Sequence, residues 1–271
     1  MVYMLGTFKK SLMYLIVLII LINIANAHVE DLEILTIDNI LISNSLNYIF
    51  IVAVIVVVLT LFSIFYKNKT EKIKWLLFIA ITIPIILATF YLAGSTIYLN
   101  IISETKGPIH WHADFEVYIC DEQIDIINPS GTSNKIGSPL LHEHGDNRIH
   151  IEGVVVDKYN IDLHNFFRFI GGELTGHNMI IPTDRDIIKV TNGDKCNSDV
   201  GKLQAFVYKT ENGLVKQEKL INFENYIISP ESLIPPGDCI IIEFGKEKDK
   251  TKHICETYRV ALKRGDVRYG S

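Results

Sequence analysis

The sequence lacks several patterns that would assign it to a familiar class of protein. Its four cysteines form no Cys-x-x-Cys pair, which leaves a thioredoxin-like redox motif unsupported. No cysteine is followed at short spacing by histidine and methionine, as in a type-one copper centre. The 26 lysines and arginines are scattered, and the formal net charge is -5. The lack of a basic patch and the negative net charge argue against a nucleic-acid partner.

The apolar residues are concentrated before residue 100. Two lysines at positions 9 and 10 precede an apolar run, Leu12–Ile24, which is followed by Ala-Asn-Ala. This is the order of regions in a secretory signal peptide. We therefore predict that residues 1–27 form a signal peptide and that its cleavage makes His28 the first residue of the mature chain. An uncleaved membrane anchor is the alternative, although the run is short for a span of about 20 residues.

Two further apolar runs predict a two-helix membrane anchor over residues 48–100. The first, Ile49–Phe65, is unbroken, and the second, 75–99, contains one proline and one glycine, which membrane helices tolerate. The loop between them, 67–74, carries four lysines against one acidic residue, so the positive-inside rule places it in the cytoplasm. Residues 28–47 and 101–271 are then extracytoplasmic, and the spans offer a surface for a membrane-protein partner.

All four cysteines lie in the segment 101–271: Cys120, Cys196, Cys239 and Cys255. An even number of cysteines in a segment expected outside the cytoplasm predicts two disulfides. Spacing alone does not separate the three possible pairings.

The patterns after residue 100 predict an α+β domain with one core helix. Leu163, Phe166, Phe167 and Ile170 recur at helical spacing between Asp162 and a Gly-Gly pair. Strands are expected at 113–119, 124–127, 148–156, 179–181, 203–208, 214–218 and 239–244. This order is compatible with a β-grasp-like arrangement. The basic tail, 246–268, is expected to be a solvated surface segment.

A β-grasp-like arrangement would also favour one disulfide pairing. Its first strand, ending at Cys120, and its last, 239–244, would run parallel, which places Cys239 at the far end from Cys120. The chain after Gly245 would then return towards Cys120. We therefore predict Cys120–Cys255 and Cys196–Cys239.

Histidines alternate with apolar residues in two segments of this domain. In a strand over 110–119, His110, His112, Asp114 and Glu116 point to one face, while the residues between them suit a core. The second segment repeats the pattern: His142 and His144 lie two apart, and Ile149 and Ile151 alternate with His150 and Glu152. One face of the sheet is therefore expected to carry five of the nine histidines.

Such a face has the chemistry of a metal site. Neutral imidazoles two apart on a strand converge, and they bind Cu(II) and Zn(II) well. A nitrogen-only site favours copper by the Irving–Williams order, with zinc close behind. The predicted ligands are His110, His112, His142, His144 and His150, with Asp114, Glu116, Glu143 and Glu152 as outer-sphere partners that orient the imidazoles. His164 and His253 are expected at the surface.

Four segments together resemble a group of membrane-anchored or secreted archaeal and bacterial domains that have no established activity. The segments are HWHADFEVYIC, LLHEHGDNRIHIEGVV, LHNFFRFIGG and PPGDCIIIEFG. The resemblance covers roughly residues 107–258. It implies a shared fold and a shared histidine face, and it gives no reaction.

Three functional hypotheses follow from the sequence. The first is a metal-binding module for copper or zinc, for example in copper handling or delivery. The second is a zinc enzyme in which His110, His112 and one further histidine hold a metal-bound hydroxide, with Glu143 or Glu152 as base. The third is a cell-envelope or membrane-complex subunit without metal. An open coordination position would favour the enzyme, and a closed site with four protein ligands would favour binding or structure.

Overall fold

A computed structural model describes residues 37–67, 70–130, 134–229 and 232–270. The predicted signal peptide, residues 1–27, lies outside these described residues. The described residues divide into two compact units, with the boundary between Leu99 and Asn100.

Two long apolar helices, α1 (Ile37–Phe65) and α2 (Glu71–Ile102), confirm the two predicted apolar helices. By length and composition, Ile40–Phe65 and Glu71–Ile102 can each cross a membrane. α1 begins at Ile37, earlier than the predicted anchor at residue 48, and its first three turns mix apolar residues with polar ones.

The second unit is rich in strands and confirms the predicted α+β class. Its strands are β1 (Pro108–Ile119), β2 (Glu122–Ile124), β3 (Ile136–Gly137), β4 (Leu141–Glu143), β5 (Arg148–Val154), β6 (Glu173–Leu174), β7 (Asn178–Pro182), β8 (Ile187–Thr191), β9 (Lys195–Cys196), β10 (Asp199–Val200), β11 (Lys202–Glu211), β12 (Leu214–Leu220), β13 (Cys239–Gly245) and β14 (Arg268–Tyr269). Two helices, α3 (Leu163–Phe169) and α4 (Glu256–Arg264), and two short 3-10 helices, Lys158–Ile161 and Phe223–Asn225, complete it.

The main sheet has nine strands in the order β14-β12-β11-β13-β1-β5-β4-β3, with β2 paired to β1. β1 lies parallel to β13 and antiparallel to β5. The parallel pairing of β1 with β13 was predicted and is confirmed, and β2 pairs antiparallel with β1. The remaining strands form a three-stranded sheet, β6-β7-β8, and a two-stranded one, β10-β9.

The main core lies between one face of this sheet and α3. Ala113, Phe115 and Ile149 are buried on the sheet side, and Phe166 and Phe167 are buried on α3. The helix begins after Asp162, whose carboxylate accepts the backbone N–H of residue 165 at 2.8 Å and so satisfies an otherwise unpaired donor. The predicted core helix is therefore confirmed.

The opposite face of the sheet carries a second core that the sequence prediction missed. α4 lies within the tail 246–268, and its Tyr258 is fully buried together with Phe206 and Ile241. The prediction that this tail is a solvated segment is wrong. Its basic residues lie on the exposed side of an amphipathic helix whose apolar side covers β13 and β11.

The cysteines join as Cys120–Cys196 and Cys239–Cys255, with Cα–Cα distances of 5.4 and 5.7 Å. Two disulfides were predicted, but the predicted pairing, Cys120–Cys255 with Cys196–Cys239, is wrong. The chain after β13 does return to the Cys120 end, where His253 Nε2 lies 3.2 Å from the Asp121 carboxylate.

Two further residues then carry the chain back to Cys239. The remaining cysteines meet at the other end of β13: the backbone N–H of Cys120 donates to the carbonyl of Phe244 at 2.8 Å, and Cys196 Sγ lies 3.7 Å from the same oxygen.

Candidate metal centre

The five predicted histidines lie together on the part of the second face that α4 leaves uncovered. Strand register brings them there: His112 pairs with His150 across β1 and β5, and His142 pairs with His150 across β4 and β5. His110 pairs with Glu152 in the same way. Paired residues point to the same side of a sheet, so these side chains share one face.

The side chains close a circuit, which we call the histidine cluster: His110, His112, His150, His144, His142 and Glu152. The centroids of consecutive imidazoles are 4.6, 4.6, 4.6 and 4.9 Å apart in this order. Glu152 joins the ends, because its Oε1 lies 3.2 Å from His110 Nε2 and its Oε2 lies 3.7 Å from His142 Nε2.

The cluster contains two groups with the spacing of metal ligands. One comprises His110, His112 and His150, and the other comprises His142, His144 and Glu152. In each group the ligand atoms all lie within 4.8 Å of one another. Glu152, predicted to be an outer-sphere partner, belongs to one of these groups and is therefore a candidate ligand.

The turn between β4 and β5 orients this cluster. Glu143 Oε1 accepts the backbone N–H groups of Asp146 and Asn147 at 2.6 and 3.2 Å, which holds the turn. Gly145 has φ +80°, and a Cβ there would lie 2.8 Å from the side-chain oxygen of Asn128. Glu143 therefore stabilises the backbone on the other side of β4, and its predicted outer-sphere contact with the imidazoles is absent from the described contacts.

Hydrogen bonds assign the protons on two imidazoles. His150 Nε2 lies 3.3 Å from Asp146 Oδ2, and His144 Nδ1 contacts the carbonyl oxygen of Asn134. Because a carboxylate and a carbonyl only accept, each of these nitrogens carries the proton. The other nitrogen of each imidazole then has a lone pair for a metal ion, and the acceptor fixes its direction.

His142 is the most deeply placed member of the cluster. Its side chain is fully buried, and neither ring nitrogen has a hydrogen-bond partner among the described residues. Burial, with repulsion from Lys135 in second place, lowers the pKa of His142 to about 4. Burial and then repulsion from His150 also lower the pKa of His112. Both imidazoles are neutral at pH 7, which is the form that binds metal.

Two predicted acidic partners, Asp114 and Glu116, lie on the same face and are hydrogen-bonded to other side chains. Asp114 accepts from Arg148 Nε at 2.6 Å and from the hydroxyl of Thr257. Glu116 accepts from the hydroxyl of Tyr118 at 2.6 Å. These carboxylates form the border between the histidine cluster and the second core, and their described hydrogen bonds go to residues outside the cluster.

Three other described histidines lie outside the cluster. His164 Nδ1 donates to the carbonyl of Leu174 at 2.8 Å, and His177 is exposed. His253 stacks on Tyr118 with centroids 3.6 Å apart, so it is largely buried rather than a surface residue as predicted.

Asp146 is the functional candidate that sequence reasoning missed. It lies four residues before His150, in a turn that carries a glycine and an asparagine with positive φ. The sequence pattern that could have identified Asp146 is a carboxylate in a glycine-containing turn that is followed by a histidine in a strand. Alternation within strands does not reveal it, because the turn brings the carboxylate to the imidazole.

In comparisons with known proteins, no family model, no curated protein and no solved structure matches the chain. The β-grasp-like arrangement stays a prediction.

Proposed function

We propose that the chain is a membrane-tethered, extracytoplasmic metal-binding protein that holds copper or zinc in the histidine cluster. The observation that carries this proposal is the buried His142. Neither of its ring nitrogens has a hydrogen-bond partner among the described residues, and the imidazoles of His144 and His150 lie beside it. An unsatisfied buried polar group costs about 1–3 kcal/mol. A bound metal ion offsets that cost by accepting a nitrogen lone pair.

The donor atoms favour one class of ion. Five imidazoles and one carboxylate suit Cu(II) and Zn(II), whereas Mg²⁺ and Ca²⁺ prefer sites made of oxygen ligands. The lowered pKa values of His112 and His142 support this, since protons compete weakly for those nitrogens at neutral pH.

The extracytoplasmic location rests on three features. Both long helices are apolar enough to span a membrane, the loop between them is rich in lysine, and the domain after residue 100 contains two disulfides. Disulfides persist in oxidising compartments, where exported proteins meet metal ions.

Labelling of introduced cysteines tests this orientation. Arg185 is exposed in the β-rich unit, and Lys72 is exposed at the start of α2. We expect Arg185→Cys to react with an impermeant maleimide on intact cells, and Lys72→Cys to react only after lysis. The opposite result would place the histidine cluster in the cytoplasm.

Metal titration of the full chain, purified in detergent and stripped with a chelator, tests the function. His112→Ala/His142→Ala removes one imidazole from each group of ligands. We expect its affinity for Cu(II) and Zn(II) to fall by more than about 100-fold, beyond the loss typical of an outer-sphere change. The exposed His177→Ala is the matched control and should bind like the wild type. Equal affinity in all three proteins would favour the metal-free structural subunit.

The zinc-enzyme alternative has one supporting observation. The side chains of His110 and Glu152 are 60% and 40% exposed, so the cluster is open to solvent at one edge. Neither predicted base fits that role, however. Glu143 accepts backbone N–H groups, and Glu152 lies among the ligands. Metal binding is therefore the better supported function.

A further inference from the structure

We propose that the histidine cluster holds two metal ions, bridged by the carboxylate of Glu152. This inference rests on the proposed metal-binding function and specifies the composition of the site. The first ion would bind His110, His112 and His150, and the second would bind His142 and His144.

The number of donors is the first argument. A tetrahedral Zn(II) site takes four ligands, whereas the cluster offers five imidazoles and a carboxylate. Ligand atoms bonded at 2.0–2.1 Å to one tetrahedral ion lie about 3.4 Å apart. Within each group the atoms are no more than 4.8 Å apart, so modest side-chain rotations suffice to close each group on its own ion.

The position of Glu152 is the second argument. Its two oxygens face different groups: Oε1 lies 3.2 Å from His110 Nε2, and Oε2 lies 3.7 Å from His142 Nε2. A carboxylate placed in this way can give one oxygen to each ion. Such a bridge suits the separation of about 3.5–4 Å found in two-metal sites.

The buried nitrogens are the third argument. His142, in the second group, and His150, in the first, each have a buried ring nitrogen with no hydrogen-bond partner among the described residues. The two imidazoles lie nearly parallel, with centroids 5.7 Å apart. One ion bound to only one group would leave an unpartnered buried nitrogen in the other.

The test measures the number of ions per chain. The full chain in detergent is stripped with a chelator, loaded with Cu(II) alone, freed of excess metal and analysed for copper and protein. We expect two ions in the wild type and in His177→Ala. We expect one ion in His110→Ala/His112→Ala and one in His142→Ala/His144→Ala. Circular dichroism and intact disulfides check that each variant is folded.

The bridge has its own readout, which does not depend on removing a histidine. Two Cu(II) ions joined by a carboxylate give a spin-coupled EPR spectrum with a half-field transition. Glu152→Gln keeps the shape of the side chain but removes its charge. We expect this variant to lose the half-field transition and to bind its second ion at least tenfold more weakly.

The outcomes separate this inference from the proposed function. One ion per wild-type chain, lost in either double variant, overturns the two-ion site and leaves the metal-binding function standing. Two ions with no spin coupling, unchanged in Glu152→Gln, overturn the bridge. No copper above the level of His112→Ala/His142→Ala overturns both proposals.

Discussion

Two ends of one sheet face differ sharply in what covers them. At one end, α4 packs over β13 and β11, and Tyr208, Ile241 and Tyr258 are buried. At the other end, β5 and β4 carry the histidine cluster, which is open to solvent beside His110. β1 contributes to both ends.

The strand sequences explain this difference. β13 reads CIIIEFG and is buried on both sides, so its outer face needs an apolar cover. Between His110 and Tyr118, β1 carries apolar residues only on the side that faces α3, so its outer face can carry polar groups. The border is polar: Asp114 contacts both Arg148 of β5 and Thr257 of α4. The covered end of this face therefore contributes apolar burial to stability, and the open end carries the imidazoles of the proposed metal site.

Truncating a buried side chain of α4 should have the largest effect on stability. Tyr258 is fully buried, and its hydroxyl donates to the carbonyl of Gly237 at 2.8 Å. We expect Tyr258→Ala to lower the free energy of unfolding by about 3–5 kcal/mol, since it leaves a cavity. Urea denaturation of the full chain in detergent, followed by tryptophan fluorescence, measures this change.

Tyr258→Phe is the control, because it removes the hydrogen bond and keeps the volume. It should cost about 1 kcal/mol. His112→Ala, at the open end, should change stability by no more than about 1 kcal/mol. Equal losses in Tyr258→Ala and His112→Ala would contradict the division between the two ends.

The buried His142 should make the open end sensitive to acid. Its pKa is about 4 in the folded protein, against about 6.5 in an unfolded chain, so the unfolded state binds the proton first. Stability contributed by this group is therefore present above pH 6.5, is lost as the pH falls towards 4, and falls no further below that. The loss is on the order of 3 kcal/mol.

Urea denaturation of the metal-free full chain at pH 7 and pH 4.5 tests this expectation. His142→Leu should flatten the dependence on pH over this range, because leucine does not titrate and has a similar volume. His177→Leu, at an exposed histidine, should keep the wild-type dependence. An unchanged slope in His142→Leu would show that other groups dominate acid unfolding.

Periodicity within single elements was enough to predict much of this fold. The alternation in β1 and β5 gave the histidine face, and the spacing from Leu163 to Ile170 gave the core helix. α4 was missed because the charged residues of the tail hid its short apolar side. The pattern that predicts α4 lies in β13, because its continuous apolar run implies that another element packs on each face of the strand.

The disulfide pairing and the grouping of the ligands depend on three-dimensional paths that spacing does not encode. The prediction that the chain returns near Cys120 was sound, but two more residues carry Cys255 to Cys239. Likewise, the five histidines were predicted as one set. The distances between their ligand atoms, which are within 4.8 Å in each set, divide them into two groups.

A substitution at Asp146 should have the smallest effect on stability. It sharpens the comparison between the two ends of the sheet face, because it should change metal affinity alone. Asp146 Oδ2 lies 3.3 Å from His150 Nε2, and Oδ1 accepts the backbone N–H of Arg148 at 3.2 Å. Asp146→Asn keeps an oxygen for that N–H and removes the charge that orients His150. We expect Cu(II) affinity to fall about 10–100-fold, with stability changed by less than about 0.5 kcal/mol.

The matched control is Asp157→Asn, which alters another exposed turn carboxylate that accepts a backbone N–H, from Tyr159 at 2.9 Å. Its metal affinity should equal that of the wild type. Because the carboxylate of Asp146 acts on a ligand and not on the core, its loss should leave the urea midpoint of the metal-free chain in place. A fall in stability as large as that of Tyr258→Ala would mean that the turn supports the fold, and Asp146 would then have no specific role in orienting His150.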